Sequence, residues 1–251
     1  MESVVSISGV KKRFGDKLVY DGLDLEVRRG ETLAILGPSG SGKSVLLKLV
    51  IGLYQPDGGR IVVAGQEVTR LDEHELREVR RKAAMLFQGA ALFDSMSVGE
   101  NVAYGLHEHY RWPAEKIRAR VGECLEAVGL PGIEEMRPAD LSGGMKKRVG
   151  LARALAPGPE IILYDEPTTG LDPTNTRRIN ELITSLQDKL GVTSIVITHD
   201  IASALAVSDR VALVRARKIA LVVDEAEAKS SPPPELERFM QGEEVDEQQG
   251  A

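Results

Sequence analysis

The sequence predicts an α/β fold from two observations. Four short runs are almost entirely apolar, as strands buried on both faces of a parallel sheet are: residues 33–36, 161–164, 194–197 and 211–214. Helical patterns lie between them, and residues 174–190 have the clearest apolar face, formed by Ile179, Leu182, Ile183, Leu186 and Leu190. Because strands and helices alternate, we expect a mostly parallel sheet with helices packed against it.

The first third of the chain adds strands of another kind. Apolar and charged side chains alternate in the stretch Leu23, Asp24, Leu25, Glu26, Val27 and Arg28. Residues 61–64 form a further strand pattern, and a helix is expected over residues 44–51. Alternation is typical of a sheet with one buried face, so we expect an N-terminal antiparallel β subdomain.

In residues 89–157 the apolar residues recur at helical spacing, which predicts an inserted helical subdomain. One helix is expected after Pro113, with an apolar stripe formed by Ile117, Val121, Leu125 and Val128. A second helix is expected from Ser142 through Leu155, because Pro157 follows closely and would stop it.

We take residues 1–225 as a single domain that contains this insertion, and residues 226–251 as a C-terminal tail. The tail holds a short amphipathic segment around Leu236, Phe239 and Met240. The prediction leaves open whether this segment is solvated or makes a contact.

Composition narrows the class of protein. The 251 residues carry 32 basic and 38 acidic side chains, a net charge of −6, which argues against a nucleic-acid partner. No apolar run approaches the roughly 18 residues of a membrane-spanning helix. The N-terminus also lacks the segments of a secretory signal, so we expect a cytoplasmic protein. The single cysteine, Cys124, cannot form an intramolecular disulfide.

A glycine-rich loop between the first apolar strand and the next helix fits the pattern G-x-x-x-x-G-K-[ST]. Its residues are Gly37, Pro38, Ser39, Gly40, Ser41, Gly42, Lys43 and Ser44. Glycines let successive main-chain N–H groups point at phosphate oxygens, and the helix N-terminus adds the positive end of its dipole. Lys43 can reach the β- and γ-phosphates, and the Ser44 hydroxyl can ligate Mg²⁺. The loop therefore predicts the nucleotide site of a P-loop ATPase core.

Two other apolar strands end in residues that can carry chemistry. Residues 161–164 lead directly into Asp165 and Glu166, and residues 194–197 lead through Thr198 to His199. Paired acids at the end of a buried strand suggest a metal and a proton acceptor, since a buried carboxylate needs compensation. We expect Asp165 to hold Mg²⁺, Glu166 to act as general base on the attacking water, and His199 to hydrogen-bond the γ-phosphate and that water.

The sequence Leu141, Ser142, Gly143, Gly144 and Met145, called here the signature, opens the second helix of the helical subdomain. Ser142 is a favourable N-cap, but each glycine costs a helix roughly 1 kcal/mol, which capping alone does not explain. Close approach of the helix start to an anion does explain them. Because the P-loop already holds this chain's own phosphates, the signature would bind the nucleotide of a second copy, which predicts a dimer.

In order and spacing these motifs resemble the nucleotide-binding subunit of ATP-binding cassette (ABC) transporters, over Val4 to about Val223. The resemblance adds Phe14, Gln88 and Asp172 to the expected site. In the family's pattern, Phe14 would stack on adenine, Gln88 would contact Mg²⁺ and the lytic water, and Asp172 would contact the other subunit. The resemblance implies that two ATP lie between head-to-tail protomers, each held by one P-loop and by the signature of the other copy.

The signature points to a subfamily. Met145 stands where glutamine is common, and Phe14 stands where tyrosine is common. Met145, with residues 85–88, 91–93, 101–104 and 107–113, is similar to the ATPase of the bacterial system that maintains outer-membrane lipid asymmetry by moving phospholipid between membranes. The implied partners are an integral membrane permease, a mammalian-cell-entry (MCE) lipid-binding protein and a small STAS-domain protein.

This subfamily's ATPase is peripheral on the inner face of the bacterial inner membrane, and its C-terminal extension can reach the partner subunit. An importer of another, polar solute remains the alternative, because a cassette does not touch the cargo. A DNA-clamping or ribosome-associated ABC ATPase needs long heptad insertions or tandem cassettes, which 251 residues do not hold. A kinase or GTPase would leave the signature without a role.

The basic residues Lys146, Lys147 and Arg148 form either a solvated helix face or a surface attracted to the phosphates of the other copy.

Overall fold

The computed structural model describes residues 2–243 of the chain. The strands are β1 (Ser3–Phe14), β2 (Lys17–Arg28), β3 (Thr32–Leu36), β4 (Gly58–Val63), β5 (Gln66–Glu67), β6 (Ala83–Leu86), β7 (Ile161–Asp165), β8 (Thr193–Ile197), β9 (Arg210–Arg215) and β10 (Lys218–Asp224). The helices are α1 (Lys43–Val50), α2 (Glu73–Lys82), α3 (Val98–His109), α4 (Ala114–Ala127), α5 (Gly143–Leu155), α6 (Pro173–Leu190), α7 (Ile201–Val207), α8 (Glu225–Ser230) and α9 (Pro234–Met240).

The strands form two sheets, as predicted. The antiparallel sheet has the order β2-β1-β4-β5, and the larger sheet has the order β10-β9-β3-β8-β7-β6. Strands β9, β3, β8, β7 and β6 run parallel, whereas β10 is an antiparallel edge strand paired with β9. The α/β class, with a mostly parallel sheet beside an antiparallel one, is confirmed. The carboxyl ends of β3, β7 and β8 meet at one edge of the larger sheet.

The central strands are buried on both faces, which is why their sequences are apolar throughout. In β7, Ile161 and Leu163 pack into a cluster formed with α1, α2 and the antiparallel sheet. The alternate residues Ile162 and Tyr164 pack into a second cluster, formed with α3, α4, α5 and α6. The antiparallel sheet and the helical region therefore cover opposite faces of the same sheet.

Helices α2, α3, α7 and α8 were not predicted, although the sequence contains a signal at the starts of α2 and α3. Both begin with a capping box, in which the N-cap side chain and an acid three residues later each bind the other's main-chain N–H. The pairs are Asp72 with Glu75 and Ser97 with Glu100.

The predicted helical subdomain, residues 89–157, contains α3, α4 and α5. The second predicted helix has the expected limits, because Ser142 is the N-cap of α5 and the helix ends at Leu155. In α6, however, Leu190 is 60% exposed, so its predicted place on the buried face is wrong. Gly191 follows it in the left-handed conformation and ends the helix at that point. Within residues 2–243, no helix is long and apolar enough to cross a membrane.

The C-terminal part differs from the predicted tail. The boundary at residue 225 falls at the start of α8, and α9 continues to Met240. Leu236 of α9 is fully buried, in a cluster with Leu36 of β3, Ala204 of α7 and Leu213 of β9. A solvated tail is therefore wrong for this part of the chain, because the apolar side of α9 covers the larger sheet and α7. The remainder of the predicted tail, residues 244–251, lies outside the described residues.

Candidate functional site

The P-loop joins β3 to α1 at the shared sheet edge, as the sequence predicts. Gly42 is the N-cap of α1, with φ of 98°, a left-handed conformation that favours glycine. A Cβ atom at this position would lie 2.5 Å from Cγ1 of Val19 on β2. The neighbouring Tyr20, also on β2, donates its hydroxyl to the Gly42 carbonyl oxygen at 2.8 Å. The antiparallel sheet thus fixes the position of the P-loop, a role for Tyr20 that sequence reasoning missed.

Lys43 lies at the base of this loop and is only 7% exposed. Its ammonium donates to the carbonyl oxygens of Gly37 at 2.7 Å and Pro38 at 2.9 Å. Burial lowers the pKa of Lys43, while the nearby carboxylates of Glu166 and Asp165 act in the opposite direction. A cation is therefore held at the point where the loop would receive phosphate groups.

Ser44 and Asp165 meet across the gap between α1 and β7. The Ser44 hydroxyl donates to Oδ1 of Asp165 at 2.7 Å, and Asp165 is 6% exposed. Hydroxyl and carboxylate oxygens are the ligand types that Mg²⁺ prefers, and Gln88 lines one cavity together with Ser44. These three side chains fit the magnesium site predicted for them.

Glu166 follows β7 and carries the second predicted acid. Its φ is +50°, which is uncommon for a residue with a Cβ atom and recurs at functional sites. Oε2 of the carboxylate accepts a hydrogen bond from the Thr169 hydroxyl at 2.9 Å and lies 2.9 Å from Nδ1 of His199. Whenever the Glu166 carboxylate is ionised it only accepts, so Nδ1 of His199 is then the donor of this pair. The ends of β7 and β8 therefore bring the predicted base and the predicted histidine into contact.

These groups open into one cavity of about 580 Å³. It is lined by Lys17, Ser39, Gly40, Gly42, Lys43, Ser44, Val45, Gln88, Glu166 and His199. An adjoining cavity of about 520 Å³ is lined by Ser41 and by residues of the tips of β1, β2 and β9. The structure thus assembles the P-loop, Glu166, His199 and Gln88 around a single space, large enough for the phosphates of a nucleotide.

Phe14 is placed apart from the lining of this cavity. It ends β1, is 41% exposed, and packs edge-on against Tyr54 with ring centroids 5.2 Å apart. The Lys12 ammonium lies 4.9 Å from the centroid of the Phe14 ring. Stacking of Phe14 on adenine stays a prediction.

The signature also lies outside the set of residues that line the P-loop cavity. The Ser142 hydroxyl accepts a hydrogen bond from the Met145 main-chain N–H at 3.3 Å, which caps α5. A Cβ atom on Gly144 would lie 2.8 Å from Cγ of Asn175 on α6, so this glycine has a packing reason within its own chain. At Gly143 the nearest atom would be 3.9 Å away, on Leu171. Packing against Asn175 therefore accounts for glycine at position 144, and approach of this helix start to an anion stays a prediction for Gly143 and Gly144.

Asp172, predicted to contact another subunit, has a clear role in its own chain. It is the N-cap of α6, and its carboxylate accepts hydrogen bonds from the main-chain N–H groups of Thr174 and Asn175. The Asn175 side-chain amide also donates to it and, with those N–H groups, lowers the pKa of Asp172. The subunit contact stays a prediction.

The position of Lys147 differs most from the prediction, which placed this residue on a surface. It is 7% exposed, and its ammonium donates to the main-chain carbonyl oxygens of Glu166 and Thr169. Neither a solvated face nor a surface directed at another copy describes this residue. Its spacing could have shown this, because Gly144, Lys147 and Leu151 recur at helical intervals on one buried side of α5.

A P-loop at the end of a parallel strand, with a carboxylate and a histidine at the ends of neighbouring strands, defines a nucleotide-hydrolysing ATPase of the P-loop class. Comparison with known proteins gives the family. Residues 20–169 match the family model described as ABC transporter, which is more than half of the chain. The chain belongs to the ABC transporter family, and it binds and hydrolyses ATP.

Three relatives illustrate the similarity. The intermembrane phospholipid transport system ATP-binding protein MlaF of Haemophilus influenzae is 40% identical over 242 residues, 96% of this chain and 92% of that protein. The methionine import ATP-binding protein MetN of Rhizobium johnstonii is 44% identical over 218 residues, 87% of this chain and 60% of that protein. The solved dimeric post-hydrolysis structure of the ATP-binding cassette MJ0796, bound to ADP and Pi, is 33% identical, with a TM-score of 0.81 over 88% of this chain and 98% of that one.

Proposed function

We propose that this chain is the ATPase subunit of a transporter that moves phospholipid between two bacterial membranes. The observation that carries the transport assignment is that the chain matches nearly the full length of an MlaF protein, 96% of this chain and 92% of that one. The match to the methionine importer covers only 60% of that protein, so an importer of a polar solute is the weaker candidate.

Within the proposal the working unit is a dimer with two ATP at its interface. The support is geometric, because the P-loop and the base share one cavity while the signature lies outside it. The open position at Gly143 leaves the start of α5 accessible to a phosphate from a second copy. The relative MJ0796 has been solved as a dimer. Binding of ATP would close the two copies on one another, and hydrolysis would reopen them.

Each residue of the cavity has a role in this proposal. Lys43 and the main-chain N–H groups of the P-loop bind the β- and γ-phosphates, and Glu166 accepts the proton of the attacking water. Ser44, Asp165 and Gln88 would hold Mg²⁺, which neutralises charge on the phosphate oxygens. His199, which contacts Glu166, would hydrogen-bond the γ-phosphate. Phe14 would stack on adenine, and Asp172 would contact the other subunit.

The segment after Gln88 is the proposed docking surface for an integral permease. Phe93 and Tyr104 are 40% and 39% exposed, and their ring centroids lie 4.8 Å apart. The loop beneath them is held rigidly, because the buried Asn101 accepts from the Phe93 N–H and donates to its carbonyl oxygen. An exposed aromatic pair, with Phe93 on a loop held by Asn101 and Tyr104 on α3, is suited to bind an apolar element of a partner. With the permease the proposal includes an MCE lipid-binding protein and a small STAS-domain protein, at the inner face of the bacterial inner membrane.

The test is purification of the chain from its native membranes with the membrane proteins that bind to it, followed by identification of the lipids in the complex. Phospholipid and an MCE protein are the expected companions. Reconstituted between donor and acceptor vesicles, the complex should transfer phospholipid only with ATP, and a complex that carries Lys43→Ala is the matched control. A permease without an MCE partner, or ATP-dependent uptake of a polar solute in place of lipid transfer, would contradict the proposal.

A further inference from the structure

A buried lysine links the signature helix to the loop that carries the proposed base. Lys147 lies four residues after Gly143 in α5, and its ammonium donates to the Glu166 carbonyl oxygen at 3.1 Å and to the Thr169 carbonyl oxygen at 2.7 Å. Both acceptors belong to the turn between β7 and α6. The lysine therefore binds the first and the last residue of the turn 166–169.

The same turn orients the carboxylate of Glu166. The Thr169 hydroxyl donates to Oε2 of Glu166 at 2.9 Å, and the Thr169 main-chain N–H donates to the Glu166 carbonyl oxygen at 3.3 Å. The φ of Glu166 is +50°, a conformation that neighbouring contacts must stabilise. Lys147 supplies two such contacts from outside the turn.

Burial of an ammonium group is unfavourable unless it forms compensating hydrogen bonds. Lys147 is 7% exposed, and burial lowers its pKa. An apolar side chain would fill the same space without that cost, whereas only a long donor reaches both carbonyl oxygens. The ammonium acts on the main chain of Glu166, so its effect on the carboxylate passes through the geometry of the turn.

We propose that Lys147 is a positioning residue for ATP hydrolysis, which fixes the turn 166–169 and directs the Glu166 carboxylate into the P-loop cavity. The inference rests on the proposed role of Glu166 as the base. Because Lys147 lies in the helix that begins with the signature, it also joins two functional parts of the chain. A displacement of α5 on contact with the nucleotide of a second copy would reach the base of this chain through the two hydrogen bonds.

The test compares the purified full-length chain with its Lys147→Met variant, which keeps most of the aliphatic length and removes the donor. We expect kcat for ATP hydrolysis to fall on the order of 100-fold, because a displacement of about 1 Å at a reacting group costs that much. The affinity for ATP should change by less than about threefold, since the P-loop contacts are intact. Lys189→Met, an exposed lysine at the end of α6, is the matched control and should keep the wild-type kcat.

A double-substitution cycle separates positioning from a general loss of structure. If Lys147 acts through Glu166, then Lys147→Met should have little further effect on single-turnover hydrolysis in a Glu166→Gln chain. Equal effects in both backgrounds, or a parallel loss of ATP affinity and kcat, would overturn the inference. Full activity of Glu166→Gln alone would instead refute the proposed base.

A second variant covers the case in which Lys147→Met does not fold. Lys147→Gln keeps an N–H donor, but its side chain is one atom shorter and cannot span both carbonyl oxygens. We expect a smaller loss of kcat, at least threefold by the same positioning effect, at unchanged ATP affinity. Wild-type kcat in a folded Lys147→Gln chain would overturn the inference that both hydrogen bonds are needed to hold the turn for hydrolysis.

Discussion

The chain contains two glycine-rich helix starts, and they differ in how much of their surroundings the same chain supplies. At α1, Gly42 fits against Val19 and Tyr20, Lys43 is buried, and Glu166 and His199 line the same cavity as the loop. At α5, Ser142 caps the helix, Gly144 packs on Asn175, and Gly143 is open. The first start shares its cavity with the residues predicted to act in hydrolysis. The second has a helix N-terminus and an open glycine, but Glu166 and His199 line the cavity of the first.

The comparison shows that similar local sequences have different physical reasons for their glycines. Gly42 is required by its φ of 98° and by the side chains of β2. Gly144 has a packing reason in α6, whereas a Cβ atom at Gly143 would meet no atom closer than 3.9 Å. The glycines of the two motifs therefore do not share one structural cause.

We expect the largest effect on hydrolysis from a substitution of Glu166, which lines the cavity of the first helix start. Glu166→Gln keeps the shape of the side chain but removes the proton acceptor, so kcat should fall about 10²- to 10⁴-fold. ATP binding should persist. The ATP-bound dimer should accumulate, because the two copies separate only after ATP is hydrolysed. Steady-state hydrolysis and size-exclusion chromatography with ATP measure the two quantities. Undiminished hydrolysis would exclude Glu166 as the base.

Lys43→Ala should weaken the binding of ATP to a single copy of the chain. Loss of a charge-assisted hydrogen bond to phosphate is worth about 1.5–3 kcal/mol, or about 10- to 150-fold in affinity. The measurement is equilibrium binding of ATP at protein concentrations too low for dimer formation. Normal affinity would contradict the assignment of the first helix start as the phosphate site.

Gly143→Ala tests the second helix start alone. Ala is the better helix former and meets no atom closer than 3.9 Å, so the free energy of unfolding should stay equal or rise by up to about 1 kcal/mol. ATP binding to the single copy should be unchanged. ATP-dependent dimerisation should weaken about 5- to 150-fold, the effect of about 1–3 kcal/mol of overpacking at an interface.

Gly144→Ala is the matched control for that variant. Its Cβ atom would lie 2.8 Å from Cγ of Asn175, so it should lower the free energy of unfolding of the single copy by about 1–3 kcal/mol. Wild-type dimerisation of Gly143→Ala would show that the second helix start does not face a nucleotide.

The smallest effect is expected from Tyr20→Phe, which removes the hydrogen bond from β2 to the Gly42 carbonyl oxygen. That oxygen also accepts from the N–H groups of Val45 and Leu46, so it keeps partners after the substitution. We expect a loss of about 0.5–1.5 kcal/mol in the free energy of unfolding and a decrease in ATP affinity smaller than that of Lys43→Ala. Chemical denaturation and ATP titration measure both. An unchanged free energy of unfolding would show that the P-loop does not depend on this contact.

The sequence identified the parts of the site that lie next to one another along the chain. The P-loop has a fixed spacing of glycines and a lysine, and Asp165, Glu166 and His199 follow strands whose apolar runs are distinctive. Parallel strands bring their carboxyl ends to one edge of a sheet, so the sequence was enough to predict that these residues lie together. The limits of α5 were likewise predictable, because Ser142 and Pro157 bound the pattern.

Other features could not be read from the sequence, because they depend on contacts between distant segments. The hydrogen bond from Tyr20 to the P-loop joins residues 22 apart in sequence, and the packing of Gly144 depends on where α6 lies. Leu236 is buried against residues of β3, α7 and β9, which are distant in sequence. The sequence around Leu236 therefore could not show that this residue is buried.

The sequence by itself determined the α/β class, the P-loop and the acid and histidine at the strand ends, because hydrophobic periodicity and motif spacing are local properties. Only the tertiary structure decided the partners of those residues. It showed that Asp172 caps a helix, that α9 covers the larger sheet, and that Lys147 binds the turn of Glu166. The physical reason is that a charged or apolar side chain takes its role from the groups it is buried against, and these come from elements that fold together from distant parts of the chain.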